Sequence, residues 1–479
     1  MYIGLDLGTS GLKGVLVDGD QRIVAETSAP LTVSRPHPGW SEQAPSDWIA
    51  AAESVMASLA NLHSLSGVTA IGLSGQMHGA VCLDAEHQVL RPAILWNDTR
   101  AAEEAATLDA DPTWRAISGN IVFPGFTAPK ISWMQAHEPD LASRIATVLL
   151  PKDFLRFWLT GDMVSDVSDA AGTAWLDTGA RAWSVELLRS GGLDTSAMPA
   201  LVEGSAVSGH LSSSLARKWG LPDGVVVAGG GGDNAASAVG VGVVEPGTAF
   251  VSLGTSGVLF ASTHEYSPDP GTSVHTFCHA LPGLWCQMGV ILAATDALSW
   301  FARLAGSEPA ALTAELGQLQ RPGETLFLPY LGGERTPHND AAVRGAFTGL
   351  SHASDRSAVT RAVLEGVTFA FRDCYDALTA TGTRIERLVA VGGGSRSRYW
   401  IECLATALGH EIEIPVDGDF GGAFGAARLA MMAAGGGGAE LATMPPIANR
   451  VAPVAGMGPA FFDAQERYRA TYRALKTVD

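Results

Sequence analysis

The chain has 479 residues, 49 acidic and 31 basic, and a formal net charge of −18. That charge excludes nucleic acid and an anionic membrane as main partners, because both need a basic footprint. Hydrophobic residues make up 47% of the chain, which supports globular cores and excludes a disordered chain, and the length fits two large domains or about three ordinary ones.

The first residues, Met1-Tyr2-Ile3-Gly4-Leu5-Asp6, lack the basic and apolar regions of a signal peptide, so a cytoplasmic protein is expected. Asp6 closes a first strand. Leu7-Gly8-Thr9-Ser10-Gly11 follows as a turn, and residues 12–17 alternate as the second strand of a hairpin. Such a turn presents hydroxyls and backbone amides to phosphate oxygens, and a carboxylate at its strand end holds a divalent metal through water. An Asp that only caps the turn fits the same residues.

Residues 46–62 read as a helix and 68–73 as a buried strand. Gly75-Gln76-Met77-His78-Gly79 follows that strand. Further on, Trp96-Asn97-Asp98-Thr99-Arg100 places a flat apolar face, an amide, a carboxylate and a guanidinium within five residues. Sugars need an apolar surface together with paired donors and acceptors. A lone His78 or Trp96 is more often core, but the polar residues beside them favour a binding site.

Residues 224–228 read as another buried strand. It runs into Gly229-Gly230-Gly231-Gly232-Asp233-Asn234, four glycines that let the backbone approach a ligand before an Ala-rich helix. Asp233 reads equally as a helix N-cap or as the base that takes a proton from a phosphoryl acceptor. A lobe boundary is expected at residues 243–247.

Leu253-Gly254-Thr255-Ser256-Gly257 then repeats the pentapeptide of residues 7–11. Strand-like flanks surround it again, but no acid precedes it. Two copies half a chain apart predict two lobes on one plan. Residues 357–378 read as a helix and 388–391 as a buried strand. Val391-Gly392-Gly393-Gly394-Ser395-Arg396-Ser397 forms a strand-to-helix platform suited to a nucleotide, or a plain turn, before a helix at 397–407. Glycines 435–438 read as a surface loop. The alternation of strands and helices indicates an α/β protein.

Five scattered cysteines with no C-x-x-C pair indicate reduced thiols and no zinc site. The chain has neither a Walker A sequence nor a G-x-S-x-G elbow. Only five lysines are present (Lys13, Lys130, Lys152, Lys218 and Lys476), so a phosphate site must lean on backbone amides, hydroxyls and a metal.

These motifs together resemble the FGGY family of carbohydrate kinases over nearly the whole chain. Asp6 to Gly11 and Ser252 to Gly257 are similar to the two phosphate motifs of the actin/Hsp70/sugar-kinase fold, and Val391 to Ser397 to its adenosine motif. Pro124-Gly125-Phe126-Thr127-Ala128-Pro129-Lys130 resembles the first family signature, and Gly345-Ala346-Phe347-Thr348-Gly349-Leu350 the second. Members acting on D-xylulose are resembled more narrowly at residues 34–43, 75–79, 95–98 and 165–170. Gly333-Glu334-Arg335-Thr336-Pro337-His338 is shared more widely. Thr295-Asp296 stands where the family has small neutral residues.

The resemblance implies a two-lobed α/β, actin/Hsp70/sugar-kinase-like (ribonuclease H-like) fold with an interlobe cleft. Residues 1–244 would bind the sugar and 245–479 the nucleotide. It implies ATP-dependent phosphorylation of D-xylulose at O5, with Asp233 as general base and Asp6 positioning Mg²⁺. Met77, His78 and Asn234 are the implied sugar contacts, with Trp96, Asn97 and Arg100 behind them. Thr9, Ser10, Gly254 and Thr255 are the implied phosphate contacts, and Gly393 and Gly394 those to adenosine. The partners are a small sugar and ATP, and the family suggests a homodimer. Two alternatives stay open: a kinase of the same family for another ketopentose or polyol such as ribulose, and an actin- or Hsp70-like ATPase.

Overall fold

The computed structural model describes residues 1–416 and 421–476. Each half of the chain is built on a twisted sheet with seven strands among the described residues.

In the first sheet, β1 (Tyr2–Leu7) pairs antiparallel with β2 (Gly11–Val17), which pairs with β3 (Ile23–Pro30). Helix α1 (Pro45–Leu62) packs Trp48, Val55, Met56 and Leu59 under these strands, and Pro45 starts it where no N–H is needed. The chain then returns as β4 (Ala70–Gly75), parallel to β1 on its other side. β4 is buried at every residue, as a covered parallel strand must be, which explains its continuous run of apolar and small residues. Beyond β4 lie β5 (Val207–His210) and β6 (Val226–Ala228), and the short β7 (Gly231–Gly232) also pairs with β4. Helix α2 (Asp233–Val241) starts at once from β7.

The second sheet repeats the plan. β8 (Gly247–Leu253) and β9 (Gly257–Thr263) form a hairpin, followed by β10 (His275–Cys278) and β11 (Trp285–Ile291) in the order β10-β11-β9-β8. Helix α3 (Arg356–Ala380) leads to β12 (Ile385–Val391), which is parallel to β8 as β4 is to β1. Helix α4 (Arg398–Leu408), β13 (Ile412–Pro415), helix α5 (Gly422–Ala433) and β14 (Ile447–Val451) follow. The duplicated pentapeptide thus occupies equivalent turns, with Ser252 at the place of Asp6.

The halves are interlocked. Helix α5 belongs to the second half but lies on the first sheet and against α2. A Cβ on Gly4 would stand 1.8 Å from the Ala423 carbonyl oxygen, and one on Gly425 1.7 Å from that of Ala236. Only glycine permits these approaches, so the ends of β1 and α2 are fixed against one another through α5. The core between the halves combines Met77, Trp114 and Phe126 with Phe250, Phe260, Phe277 and Met288. Asn120 ties them like a strand partner: its Nδ2 donates to the Thr276 carbonyl at 2.9 Å and its Oδ1 accepts from the Thr276 amide at 2.9 Å.

All five cysteines are buried and free. Among the described residues no helix is long and apolar enough to cross a membrane, and no cluster of three or more His, Cys, Asp or Glu side chains suited to a metal is present.

Candidate active site

β1 ends at Leu7, so the pleat leaves Asp6 at the mouth of the sheet beside Ser74 of β4, its register partner. Ser74 Oγ donates to Asp6 Oδ1 at 2.8 Å. The first turn of α5 closes over the pair, since a Cβ on Gly422 would lie 2.9 Å from the Asp6 carboxyl carbon. Burial raises the Asp6 pKa, against the Ser74 hydrogen bond and the charge of Lys13.

Asp233 is the first residue of α2 and faces the same space. It is not the N-cap, a position held by Gly232. Its Oδ1 accepts from the amide and the Nδ2 of Asn234 at 2.7 and 3.0 Å. Burial, then the nearby Asp6 charge, push its pKa up to about 7, with the Asn234 bonds opposing. The glycine run before it is held from behind. Gly232 N donates to Ser168 Oγ at 3.2 Å, Ser168 N donates to Asp166 Oδ2 at 2.8 Å, and Asp166 Oδ1 lies 2.8 Å from Lys152 Nζ. Arg156 Nη1 donates to the Ala228 carbonyl at 2.7 Å. The 165–170 motif therefore mounts the backbone of Asp233 on a fully buried ionic cluster.

His78 sits at φ +69°, and its ring stacks on Phe126 at 4.6 Å. Its Nδ1 is 2.6 Å from the Gly172 carbonyl, which only accepts, so Nδ1 carries the proton and Nε2 keeps a free lone pair. Burial is the main cause that lowers its pKa to about 3, and the Lys130 and Arg335 charges add to it. Lys130 itself donates to the His78 and Gly125 carbonyls at 2.8 and 2.7 Å, so the first signature braces the His78 backbone.

A cavity of about 370 Å³ opens between the halves. Met77, His78, Trp96, Asp233 and Asn234 line it from the first half, and Gly254, Thr255 and Ser256 from the second. His275, Phe277, Met288, Val290 and Arg335 also line it, none of them given a role by the sequence reading. A second cavity, of about 700 Å³, is lined by Gly393, Gly394, Ser397, Tyr399 and Trp400 against Thr295, Leu298 and Pro309. The two adjoin at the second Gly-Thr-Ser turn: Thr295 Oγ1 donates to the Gly254 carbonyl at 2.8 Å. One pocket is small and polar at the carboxylates, and the other is wide with aromatic and apolar walls.

The remaining candidates stand elsewhere. Ser10 is exposed at the first turn. Thr9 Oγ1 donates to Gln76 Oε1 at 2.8 Å and accepts from Trp96 Nε1 at 2.9 Å, so its hydroxyl ties the first turn to the sugar-facing segments. Asn97 does not line the cavity, and its Oδ1 is buried without a hydrogen-bond partner. Arg100 is a correction to the substrate role expected for it. Its side chain is 1% exposed, paired with Asp98 and Glu42, and it stacks on the Trp40 ring at 3.6 Å. It holds the 34–43 and 95–100 segments together.

Asp6 is a hard oxygen donor close enough to Asp233 for its charge to raise the Asp233 pKa. One such carboxylate fits Mg²⁺, which is bound through one or two carboxylates plus substrate phosphates and water.

Family models of the FGGY carbohydrate kinases match twice, the N-terminal domain at residues 1–240 and the C-terminal domain at 249–434. The xylulose kinase of Escherichia coli (strain K12) is 48% identical over 480 residues, covering 99% of this chain and 99% of that protein. The crystal structure of "a xyloylose kinase from Brucella ovis" superposes with a TM-score of 0.98 at 57% identity over 100% of both chains. That of a xylulose kinase from Rhodospirillum rubrum gives 0.91 at 31% identity over 99% of both.

Proposed function

The chain belongs to the FGGY family of carbohydrate kinases, and from that premise we propose that it phosphorylates D-xylulose at O5, giving D-xylulose 5-phosphate and ADP, with Asp233 as general base. The observation that carries this reading is the position of Asp233. It feels the charge of Asp6, lines a cavity with Met77, His78 and Asn234, and shares that cavity with the Gly254–Ser256 turn. The names of the relatives supply the sugar; the cavity supplies the chemistry.

O5 of the sugar attacks the γ-phosphorus of ATP, the bond from that phosphorus to the β,γ-bridging oxygen breaks, and ADP leaves. The O5 proton passes to the Asp233 carboxylate. His78 Nε2 accepts a sugar hydroxyl, because its tautomer leaves that lone pair toward the cavity. Met77 and Trp96 provide the apolar faces. The amides and hydroxyls of the second turn hold phosphate oxygens, and the wide cavity at Gly393 and Gly394 takes the nucleoside. Asp6 would hold Mg²⁺ through water, and the metal when bound would neutralise charge on the β- and γ-phosphates.

Asp233→Ala tests the base. The variant should still bind D-xylulose while turnover falls by about three orders of magnitude or more. Near-normal turnover would remove Asp233 from the mechanism.

A further inference from the structure

The cavity between the halves contains one cation, Arg335, that forms no ion pair with a described carboxylate. Arg335 stands in the 334–336 segment, which extends the second sheet beside the end of β11. Val290 N donates to Thr336 Oγ1 at 3.0 Å, and Thr336 N donates to the Val290 carbonyl at 3.1 Å. Thr336 Oγ1 in turn donates to the Ser273 carbonyl at 3.0 Å. The neighbouring Glu334 acts on the guanidinium through its charge but makes no ion pair with it. Its Oε1 accepts from the backbone amides of Leu292 and Arg335 at 2.9 and 2.8 Å and so fixes the Arg335 backbone, while its Oε2 is buried without a hydrogen-bond partner.

The guanidinium itself is lightly held. Nη1 lies 3.4 Å from His275 Nε2, and the group sits over the Phe123 ring at 4.9 Å. No ion pair of Arg335 with a carboxylate is seen among the described residues. A guanidinium carries five N–H donors, and this one lines the cavity that contains Asp233 and His78. A rigid backbone mount, a desolvated charge and spare donors facing a cavity describe a ligand contact.

The sheet register places that contact. Val258, just after the Gly254–Ser256 turn, pairs with Val290, and Thr336 lies beyond Val290. Two strand spacings of about 4.8 Å separate the turn's outgoing strand from the Arg335 segment, or roughly 10 Å. The four carbon–carbon bonds of a pentulose span about 5 Å. Asp233 and Arg335 line the same cavity, so a sugar with O5 at Asp233 has its C1–C2 end free to reach Arg335.

We propose that Arg335 is the sugar contact supplied by the second half of the chain, and that its guanidinium donates to the C2 keto oxygen of the bound ketopentose. The inference rests on the ketopentose-kinase reading above. An arginine only donates and a ketone only accepts, so the two groups are complementary at that contact. A pentitol carries a hydroxyl at C2 instead, and its O–H needs an acceptor. His275 Nε2 is already engaged by Arg335, and its Nδ1 is buried without a partner. A site that hydrogen-bonds one functional group selects against the analogue that leaves a polar atom unmatched.

The test compares wild type, Arg335→Met and Arg335→Lys in a coupled ADP-release assay. D-xylulose is the substrate and xylitol, which differs from it by two hydrogens at C2, is the competitive inhibitor. Arg335→Met should raise the KM for D-xylulose by about 30-fold or more, the loss of a charged hydrogen bond. The KM for ATP and the inhibition constant of xylitol should stay within about threefold, and Arg335→Lys should recover part of the sugar KM. Binding of a fluorescent ATP analogue reports whether the variants fold, and Arg335→Lys carries the comparison if Arg335→Met does not. An unchanged sugar KM, or a KM and a xylitol constant that rise together, overturns the assignment. A wild type that phosphorylates no ketopentose overturns the functional reading instead.

Discussion

An aspartate in water is ionised at neutral pH, whereas Asp233, buried beside Asp6, titrates near 7. A base must be deprotonated to act, so kcat/KM should rise with pH along a limb centred near 7 and fall on the acid side. A limb centred near 4 would show that another group sets the rate. The same shift affects stability with a definite sign. The folded state binds a proton that the unfolded chain releases near 3.8, so stability falls as pH rises from about 4 to 7, and the penalty is complete above 7. Asp233→Asn should thus be nearly inactive yet have a higher Tm than wild type at pH 8, and that gain should shrink toward pH 4. A lower Tm at pH 8 would contradict the burial argument. At this scale the sequence revealed side-chain chemistry better than side-chain partners. Asp6, His78 and Asp233 stand out in the sequence because turn and glycine patterns surround them, and the structure brings His78 and Asp233 to one cavity. Arg100 was not, because nothing in residues 95–100 announces Glu42 and Trp40 across the fold. Thr9 and Arg335 were hidden for the same reason: one hydroxyl is taken by Gln76 and Trp96, and one guanidinium is presented by a sheet edge.

The elements divide in the same way. The repeated pentapeptide predicted two equivalent hairpins, and both form, with strands ending at Leu7 and Leu253. The helices expected at 46–62, 357–378 and 397–407 appear as Pro45–Leu62, Arg356–Ala380 and Arg398–Leu408. The role of α5 was not legible. Its residues, Gly-Ala-Phe-Gly-Ala-Ala-Arg-Leu-Ala-Met-Met-Ala, are almost all small or apolar, so no periodic stripe says which sheet it covers. Its function is steric: it sets α2, and so Asp233, against β1 and Asp6. Gly425→Ala puts a methyl group into the α2 backbone and should cost about 1–3 kcal/mol of stability, as overpacking does, and lower kcat more than the sugar KM. Gly19→Ala, which meets nothing within 4 Å, is the control, and urea unfolding with steady-state kinetics reads both. Equal behaviour of the two variants would show that α5 does not set the geometry of the site.

For the whole molecule, the charge of −18 argues against polyanionic partners, and a local cleft is how the proposed reading reconciles it with an anionic nucleotide. Lys130 and Lys152 are buried on carbonyls and carboxylates, so the adjoining cavities offer amides, hydroxyls and a few arginines to ATP. The cavity at Asp233 is walled by both halves, so it exists only in the assembled chain. The central claim is phosphate transfer to O5 of D-xylulose within that cavity. It is tested most directly by ADP release across a panel of D-xylulose, D-ribulose, L-ribulose, xylitol and glycerol, with the product identified by NMR. The account predicts fastest turnover with D-xylulose, phosphate on O5, and little ADP without sugar. Faster turnover with another sugar, phosphate on another oxygen, or ATP hydrolysis that ignores the sugar would contradict it.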